Sequence, residues 1–114
     1  MAYTTVGKNK MLAALGVTHV SAHTGDPGQT GTAEISNAGI YGRISISFSA
    51  PVGGALDAVG VQEIAIPAGT TVTHLGYWDS EDAGAFLAVS AIPPETFNNE
   101  GTLTVTDVDL DLNL

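Results

Sequence analysis

The sequence predicts an all-β fold, an antiparallel β-sandwich or barrel of about seven strands with one short N-terminal helix. Apolar and polar side chains alternate in residues 101–114 and again in residues 40–50, which is the period of a strand with one solvated face. Turn-forming stretches rich in glycine and proline separate the apolar segments, and only one segment has a helical pattern. Short strands that do not alternate with helices are typical of antiparallel sandwiches and barrels.

The predicted helix covers residues 5–15. A threonine at its start, Thr4 or Thr5, can cap the first turn, and Gly16 ends the helix. A helix this short is stable only when an apolar stripe packs against another element, so we expect it to cover one end or edge of a sheet. The predicted stripe consists of Val6, Met11, Leu12 and Leu15.

The predicted strands cover residues 17–24, 40–50, 58–66, 71–79, 85–92 and 102–113. In the second of them, Ile44, Ile46 and Phe48 share the inward face, while Arg43 and the serines face solvent. Residues 80–84 have the composition of a hairpin turn. The pair Pro93-Pro94 is expected to end the strand that follows that turn.

Two strands change parity along their length, which predicts a β-bulge in each. In the strand 58–66, the valines and the isoleucines differ in parity, so a bulge is expected near Gln62 and Glu63. In the terminal strand, a similar change is expected near Thr106 and Asp107.

Length and charge limit the classes of function. A chain of 114 residues predicts one domain, and a net charge of −9 with three Lys and Arg residues argues against binding nucleic acid through its phosphates. The absence of cysteine excludes disulfides and thiolate metal sites. No segment has the length of a membrane span or the pattern of a secretion signal, so we expect neither a membrane partner nor secretion.

No arrangement of ionisable residues predicts a metal, a cofactor or catalysis. His19 and His23 share a strand face but lie about 13 Å apart, too far for one ion. Calcium could bind the terminal aspartates, or Asp79 with Glu81 and Asp82, through oxygen ligands. In a strand, however, Asp107, Asp109 and Asp111 stand in a row, about 7 Å apart, and do not converge, so a solvated negative face is the favoured interpretation. The sequence contains no nucleophile elbow, zinc-protease motif or phosphate-binding glycine loop, so we expect no enzyme.

The aromatic pair and the single arginine are the remaining candidates for contacts. Tyr77 and Trp78 are adjacent, so on a strand they face opposite ways; one is expected in the core and the other is available for a partner or a sugar. Arg43 lies in a strongly acidic chain, and we expect it to form a structural salt bridge.

Several segments together resemble a family of small bacteriophage virion proteins, often labelled tail-fibre-like or minor structural proteins. The similar stretches are residues 7–12 with 15–16, residues 18–28, Tyr41-Gly42-Arg43, residues 66–78, and Glu95-Thr96-Phe97 leading into the terminal strand. The resemblance implies a virion component that is assembled in the host cytoplasm, and it implies no catalytic residues.

The leading hypothesis is a capsid decoration or accessory subunit on the outside of the particle. Its expected partners are major capsid or tail proteins and further copies of itself, because many copies on a lattice compensate for a small contact area. One alternative is a minor tail or fibre-associated subunit that touches a host glycan, and another is a small calcium- or sugar-binding module. The candidate interface residues are Lys8, Lys10, Met11, Arg43, Tyr77, Trp78, Asp107, Asp109 and Asp111.

Overall fold

The computed structural model describes residues 2–36, 39–105 and 109–111. These residues form one helix and eight strands, and every strand pair is antiparallel. The predicted antiparallel all-β fold with one short helix is therefore confirmed. The elements are α1 (Thr5–Ala14), β1 (His19–His23), β2 (Ile44–Ser45), β3 (Ala55–Asp57), β4 (Gln62–Ile66), β5 (Thr70–Trp78), β6 (Phe86–Phe97), β7 (Gly101–Val105) and β8 (Asp109–Asp111).

The strands form one larger sheet and two small ones. The larger sheet has the order β2-β1-β5-β6, while β4 pairs with β7 and β3 pairs with β8. The sheets pack in a sandwich-like manner, and the strands in the described ranges do not close into a barrel. The molecule is elongated, with extents of 45 × 26 × 23 Å.

One apolar core joins all three sheets and the helix. Val20 and Ala22 of β1 lie opposite Tyr77 and Leu75 of β5, so these four side chains share one face of the larger sheet. Burying each large aliphatic side chain contributes about 1.5–3 kcal/mol, so the core accounts for most of the stabilisation. The buried core consists of Leu12, Val20, Ala22, Ile35, Tyr41, Ile46, Leu56, Ile64, Ile66, Val72, Leu75, Tyr77 and Leu103.

The opposite face of β1 and β5 is also covered. Ser21 lies opposite Gly76, and His23 lies opposite His74. The loop between β1 and β2 crosses this face, because the Thr32 carbonyl accepts a hydrogen bond from the His23 ring and Gly31 lies against the Trp78 ring. The central strands are therefore buried on both sides, and β1 shows no alternation between exposed and buried residues.

The helix begins as predicted but packs differently. The Thr4 hydroxyl accepts a hydrogen bond from the Gly7 N–H at 3.1 Å, which is an N-cap. Of the predicted stripe, only Leu12 is fully buried, while Val6 is 66% exposed and Met11 37% exposed. At 3.6 residues per turn, both lie about 100–120° around the axis from Leu12, so the three cannot share one narrow contact face.

The region of the second predicted strand is extended but has little ladder pairing. Within residues 40–50, only Ile44–Ser45 pairs with β1, and Phe48 makes an isolated bridge to Ala58. The predicted parity is correct for Ile46, which is buried, and for the neighbouring serines, which are exposed. The expectation that Arg43 faces solvent is wrong, because only 9% of its side chain is exposed.

The predicted bulge near Gln62 and Glu63 is wrong. The strands β4 and β7 pair in an unbroken register from Gln62 opposite Val105 to Ile66 opposite Gly101. Val59 and Val61 simply face solvent, with 59% and 56% of their surface exposed. The prediction assumed that every apolar residue points inward, whereas a polar residue, Gln62, takes the interior position.

The prediction that Pro93-Pro94 ends its strand is also wrong, because β6 continues to Phe97. The register with β5 shifts between Val72 and His74, opposite the two prolines. The two prolines lack a backbone N–H, but no β5–β6 hydrogen bond is lost, because the ladder is already interrupted at this point and β6 is an edge strand.

The predicted terminal strand 102–113 is divided between two sheets, since β7 pairs with β4 and β8 pairs with β3. The bulge predicted near Thr106 and Asp107 lies outside the described residues. Within the described ranges, α1 is too short to span a bilayer, and no other helix is present that could do so.

Candidate functional site

A buried chain of hydrogen bonds lies on the second face of the larger sheet. The Thr32 carbonyl lies 2.8 Å from His23 Nδ1 and can only accept, so Nδ1 carries the proton. His23 Nε2 therefore accepts from the Ser21 hydroxyl at 2.6 Å, and the Ser21 oxygen accepts from the Trp78 indole N–H at 2.7 Å. Each polar side-chain atom of His23, Ser21 and Trp78 in this series of hydrogen bonds has a partner. The series also attaches the loop that carries Thr32 to the sheet.

The Ser21–His23 pair has the composition of a nucleophile and its base but lacks access. Both residues are completely buried. A Cβ atom on Gly76 would lie 2.5 Å from His23 Nε2 and 2.6 Å from Ser21 Oγ, so even a methyl group does not fit beside them. Burial lowers the pKa of His23, against the opposing effects of the Thr32 hydrogen bond and of Glu34. This geometry holds a neutral imidazole in place.

The salt bridge predicted for Arg43 is confirmed, and its partner is Glu34. Arg43 Nη2 lies 2.9 Å from Glu34 Oε1, and Arg43 Nε donates to Oε2 at 3.0 Å, which is the bidentate geometry. The Tyr41 hydroxyl donates to Oε2 at 2.8 Å and accepts from the Ala22 N–H at 3.0 Å. Burial works to raise the pKa of Glu34, but the hydrogen bonds from Arg43 and Tyr41 outweigh it and keep that pKa below its usual value. Burial raises the pKa of Tyr41.

Arg43 also fastens the β5–β6 hairpin turn to the sheet. Its Nη1 donates to the carbonyls of Ser80 at 3.2 Å and Ala83 at 2.8 Å. Its guanidinium lies 3.6 Å from the centre of the Trp78 ring, which is a cation–π contact. With 9% of its side chain exposed, Arg43 acts as an internal clamp and offers little surface to a partner.

The cavities found among the described residues are open and shallow. One of them has a volume of about 280 Å³ and is lined by Arg43 together with acidic side chains that include Glu81 and Asp82. Among the described residues, no three His, Asp or Glu side chains converge as metal ligands would. These surfaces suit contact with a macromolecule better than enclosure of a small substrate.

The candidate interface residues on α1 remain at the surface. Lys10 and Met11 are exposed, and Lys8 is half-buried. Asp109 and Asp111 belong to β8, opposite Asp57 and Ala55 of β3. Asp107 lies outside the described residues. Because α1 packs on β3, the helix and β8 are both neighbours of that strand.

The expectation that Tyr77 or Trp78 stays available for a partner is wrong. Tyr77 is 1% exposed and Trp78 is 6% exposed, because β5 is a central strand with both faces covered. Sequence reasoning also missed Glu34 and Ser21 as members of the polar network. The available signal for Ser21 was the alternation in β1, which places His19, Ser21 and His23 on one face and Val20 and Ala22 on the other.

The family model for the podophage GP4 fiber I protein gp80 matches residues 4–113. The chain belongs to this family. The match includes the helix and all eight described strands, and it agrees with the resemblance to tail-fibre-like virion proteins. As a member of the fiber I family, the chain is a structural component of the virion and associates with other virion proteins. No curated protein is significantly similar to it.

Proposed function

We propose that this fiber I family member is a non-catalytic subunit of the podophage fibre, which attaches through its outer surface to neighbouring virion proteins. The observation that carries the proposal is that the side chains able to support catalysis are committed to internal hydrogen bonds. Ser21, His23, Glu34 and Arg43 are all engaged in internal hydrogen bonds, and none faces an enclosed cleft. What remains accessible is a helix, strand edges and acidic turns, which are features of a binding surface.

The surface around α1 is one part of the proposed attachment region. The Asn9 side chain accepts a hydrogen bond from the Gly54 N–H at 2.8 Å, which brings the turn at residues 52–55 against the helix. Val6 on the helix is 66% exposed, and Val52 in the turn is 77% exposed. Exposed apolar side chains at such a junction are consistent with contacts to a second protein, including another copy of this chain.

Capsid decoration stays a second candidate, because its physical requirement is the same: a small subunit that binds by its exterior. The family membership favours the fibre. A fibre subunit is present in few copies at the tail, whereas a decoration protein is present in many copies over the capsid.

The test combines position with copy number in purified phage particles. An antibody against this chain, seen by gold-label electron microscopy, should mark the fibres, and quantitative mass spectrometry should find few copies per particle. Label spread over the capsid with many copies would support decoration and contradict the proposal. Particles that lack the chain altogether would refute a structural role.

Removal of residues 1–10 tests the contribution of α1. We expect the shortened chain to keep its sheet signal in circular dichroism, because Leu12 is the one fully buried residue of the helix, but to be depleted from the particles. A chain unfolded by this deletion would mean that α1 is part of the core and not an attachment element.

A further inference from the structure

The outer edge of β6 is the longest unpaired strand edge in the described part of the chain. This strand contains twelve residues, Phe86–Phe97, and it ends the sheet order β2-β1-β5-β6. Along such an edge, about half of the backbone N–H and C=O groups point away from the sheet and can pair with an added strand. Folded proteins usually protect an edge of this length, so its exposure calls for an occupant.

The first half of the edge is suited to accept a strand. No residue between Asp82 and Glu95 is charged, and Val89 at its middle is 45% exposed. Phe86 and Val89 also line a shallow groove of about 140 Å³ beside Gly28 and Gln29 of the first loop. The second half is different, because Pro93 and Pro94 carry no N–H and cannot donate. The usable edge is therefore residues 86–92, about 23 Å long.

Acidic residues flank the usable edge at both ends. Asp79, Glu81 and Asp82 precede it in the hairpin turn, and Glu95 follows the prolines. The chain has only three Lys and Arg residues to balance them. Arg43 is occupied by internal contacts, and the two lysines belong to α1.

This charge pattern disfavours a second copy as the occupant. Two β6 edges paired antiparallel about a two-fold axis would bring Glu95 of each copy toward Glu81 and Asp82 of the other. Like charges placed opposite each other across strands are destabilising. A strand with basic residues at both ends would instead gain attraction at both flanks and associate faster.

We propose that residues 86–92 of β6 are a docking edge for an extended segment of another virion protein, apolar in its middle and carrying Lys or Arg at both ends. The segment adds to the larger sheet as a fifth strand, with backbone hydrogen bonds giving affinity and the acidic flanks giving orientation. This inference rests on the proposed attachment role and names the chemistry of one partner.

The test uses phage that carry single substitutions of this chain and compares copies per particle by quantitative mass spectrometry. Glu95→Lys reverses one acidic flank, and Val89→Glu places a charge in the middle of the edge. The matched controls are Glu63→Lys, an exposed glutamate of β4, and Val59→Glu, an exposed valine away from β6. We expect both edge variants to lower incorporation about tenfold, equivalent to about 1.4 kcal/mol, and both controls to stay near wild type.

Several outcomes would overturn the inference. Edge variants that are incorporated like their controls would show that the edge is not used. Self-association of the purified chain in sedimentation, strengthened by Glu95→Lys, would identify a second copy as the occupant. The urea midpoint of each purified variant shows whether it folds. Glu95→Lys changes an exposed position, so it keeps the test valid if Val89→Glu does not fold. A wild-type chain absent from the fibres would instead refute the proposed function.

Discussion

Replacing Arg43 with methionine should cost a large part of the stability of this small protein. Methionine keeps most of the length of the side chain but removes the guanidinium, which contacts Glu34, Trp78 and the 80–84 turn. The substitution therefore removes a bidentate ion pair, two hydrogen bonds to backbone carbonyls and a cation–π contact in one step.

The expected magnitude is the sum of three local losses. The contact with the Trp78 ring is worth about 0.5–2 kcal/mol. Glu34, whose side chain is 21% exposed, loses its charged partner in a mostly buried position, at a cost of about 1–3 kcal/mol. The two turn carbonyls lose about 0.5–1.5 kcal/mol together, because water can replace part of their hydrogen bonding. The three losses sum to about 2–6.5 kcal/mol, and the middle of this range, about 4 kcal/mol, is a large fraction of the roughly 5–15 kcal/mol that stabilises a typical domain.

The assay is urea denaturation followed by the fluorescence of Trp78, the single tryptophan, which lies under the guanidinium. The midpoint of Arg43→Met should fall by about 2 M. Lys10→Met makes the same charge change on the exposed face of α1 and should alter the free energy of unfolding by less than about 0.5 kcal/mol. Equal midpoints for the two variants would refute the internal clamp. Combining Arg43→Met with Glu34→Gln should restore part of the loss, because no unpaired carboxylate is left.

Three further predictions address the loop, the buried histidine and the core. Gly31→Ala should lower the melting temperature more than Gly28→Ala: both have positive φ, but only at Gly31 would the Cβ meet the Trp78 ring, at 2.5 Å, adding about 1–3 kcal/mol. Burial lowers the pKa of His23, so its contribution to the free energy of unfolding should be fully present above about pH 6.5 and should decline below that pH, where the unfolded chain takes up a proton. His23→Gln should flatten this part of the profile of urea midpoint against pH. Ile46→Asp should abolish cooperative melting, since an unpaired buried carboxylate costs several kcal/mol, about 3 or more.

The face that each strand residue occupies could be predicted where the alternation of side chains along a strand alone determines it. In the segment around Ile46, serines alternate with large apolar residues, and the interior face needs no knowledge of the partner strand. The N-cap at Thr4 and the hairpin turn before β6 were predictable for the same reason, since each depends on local chemistry.

The errors arose where a distant partner decides which face is covered. Gln62 faces inward and Val61 outward in a strand that pairs with β7, which begins only at Gly101, and local hydrophobicity does not carry that information. One of Tyr77 and Trp78 was expected to be available for a partner, because adjacent residues of a strand face opposite ways. A polar loop covers the second face of the larger sheet, and no periodicity in the sequence predicts that coverage.

The covering loop explains why the second face is polar. Residues 25–32 consist of Gly, Asp, Pro, Gln and Thr and have no large apolar side chain to pack on β1 and β5. Apart from Pro27, which is fully buried, such a segment is held mainly by hydrogen bonds, so the sheet beneath it offers directed polar groups, as His23 does to the Thr32 carbonyl. Polar groups buried in this way must all be satisfied, which requires a single arrangement of the loop. Ser21 and His23 therefore have the composition of a catalytic pair, but their hydrogen bonds serve to hold the loop 25–32 in one position on the surface.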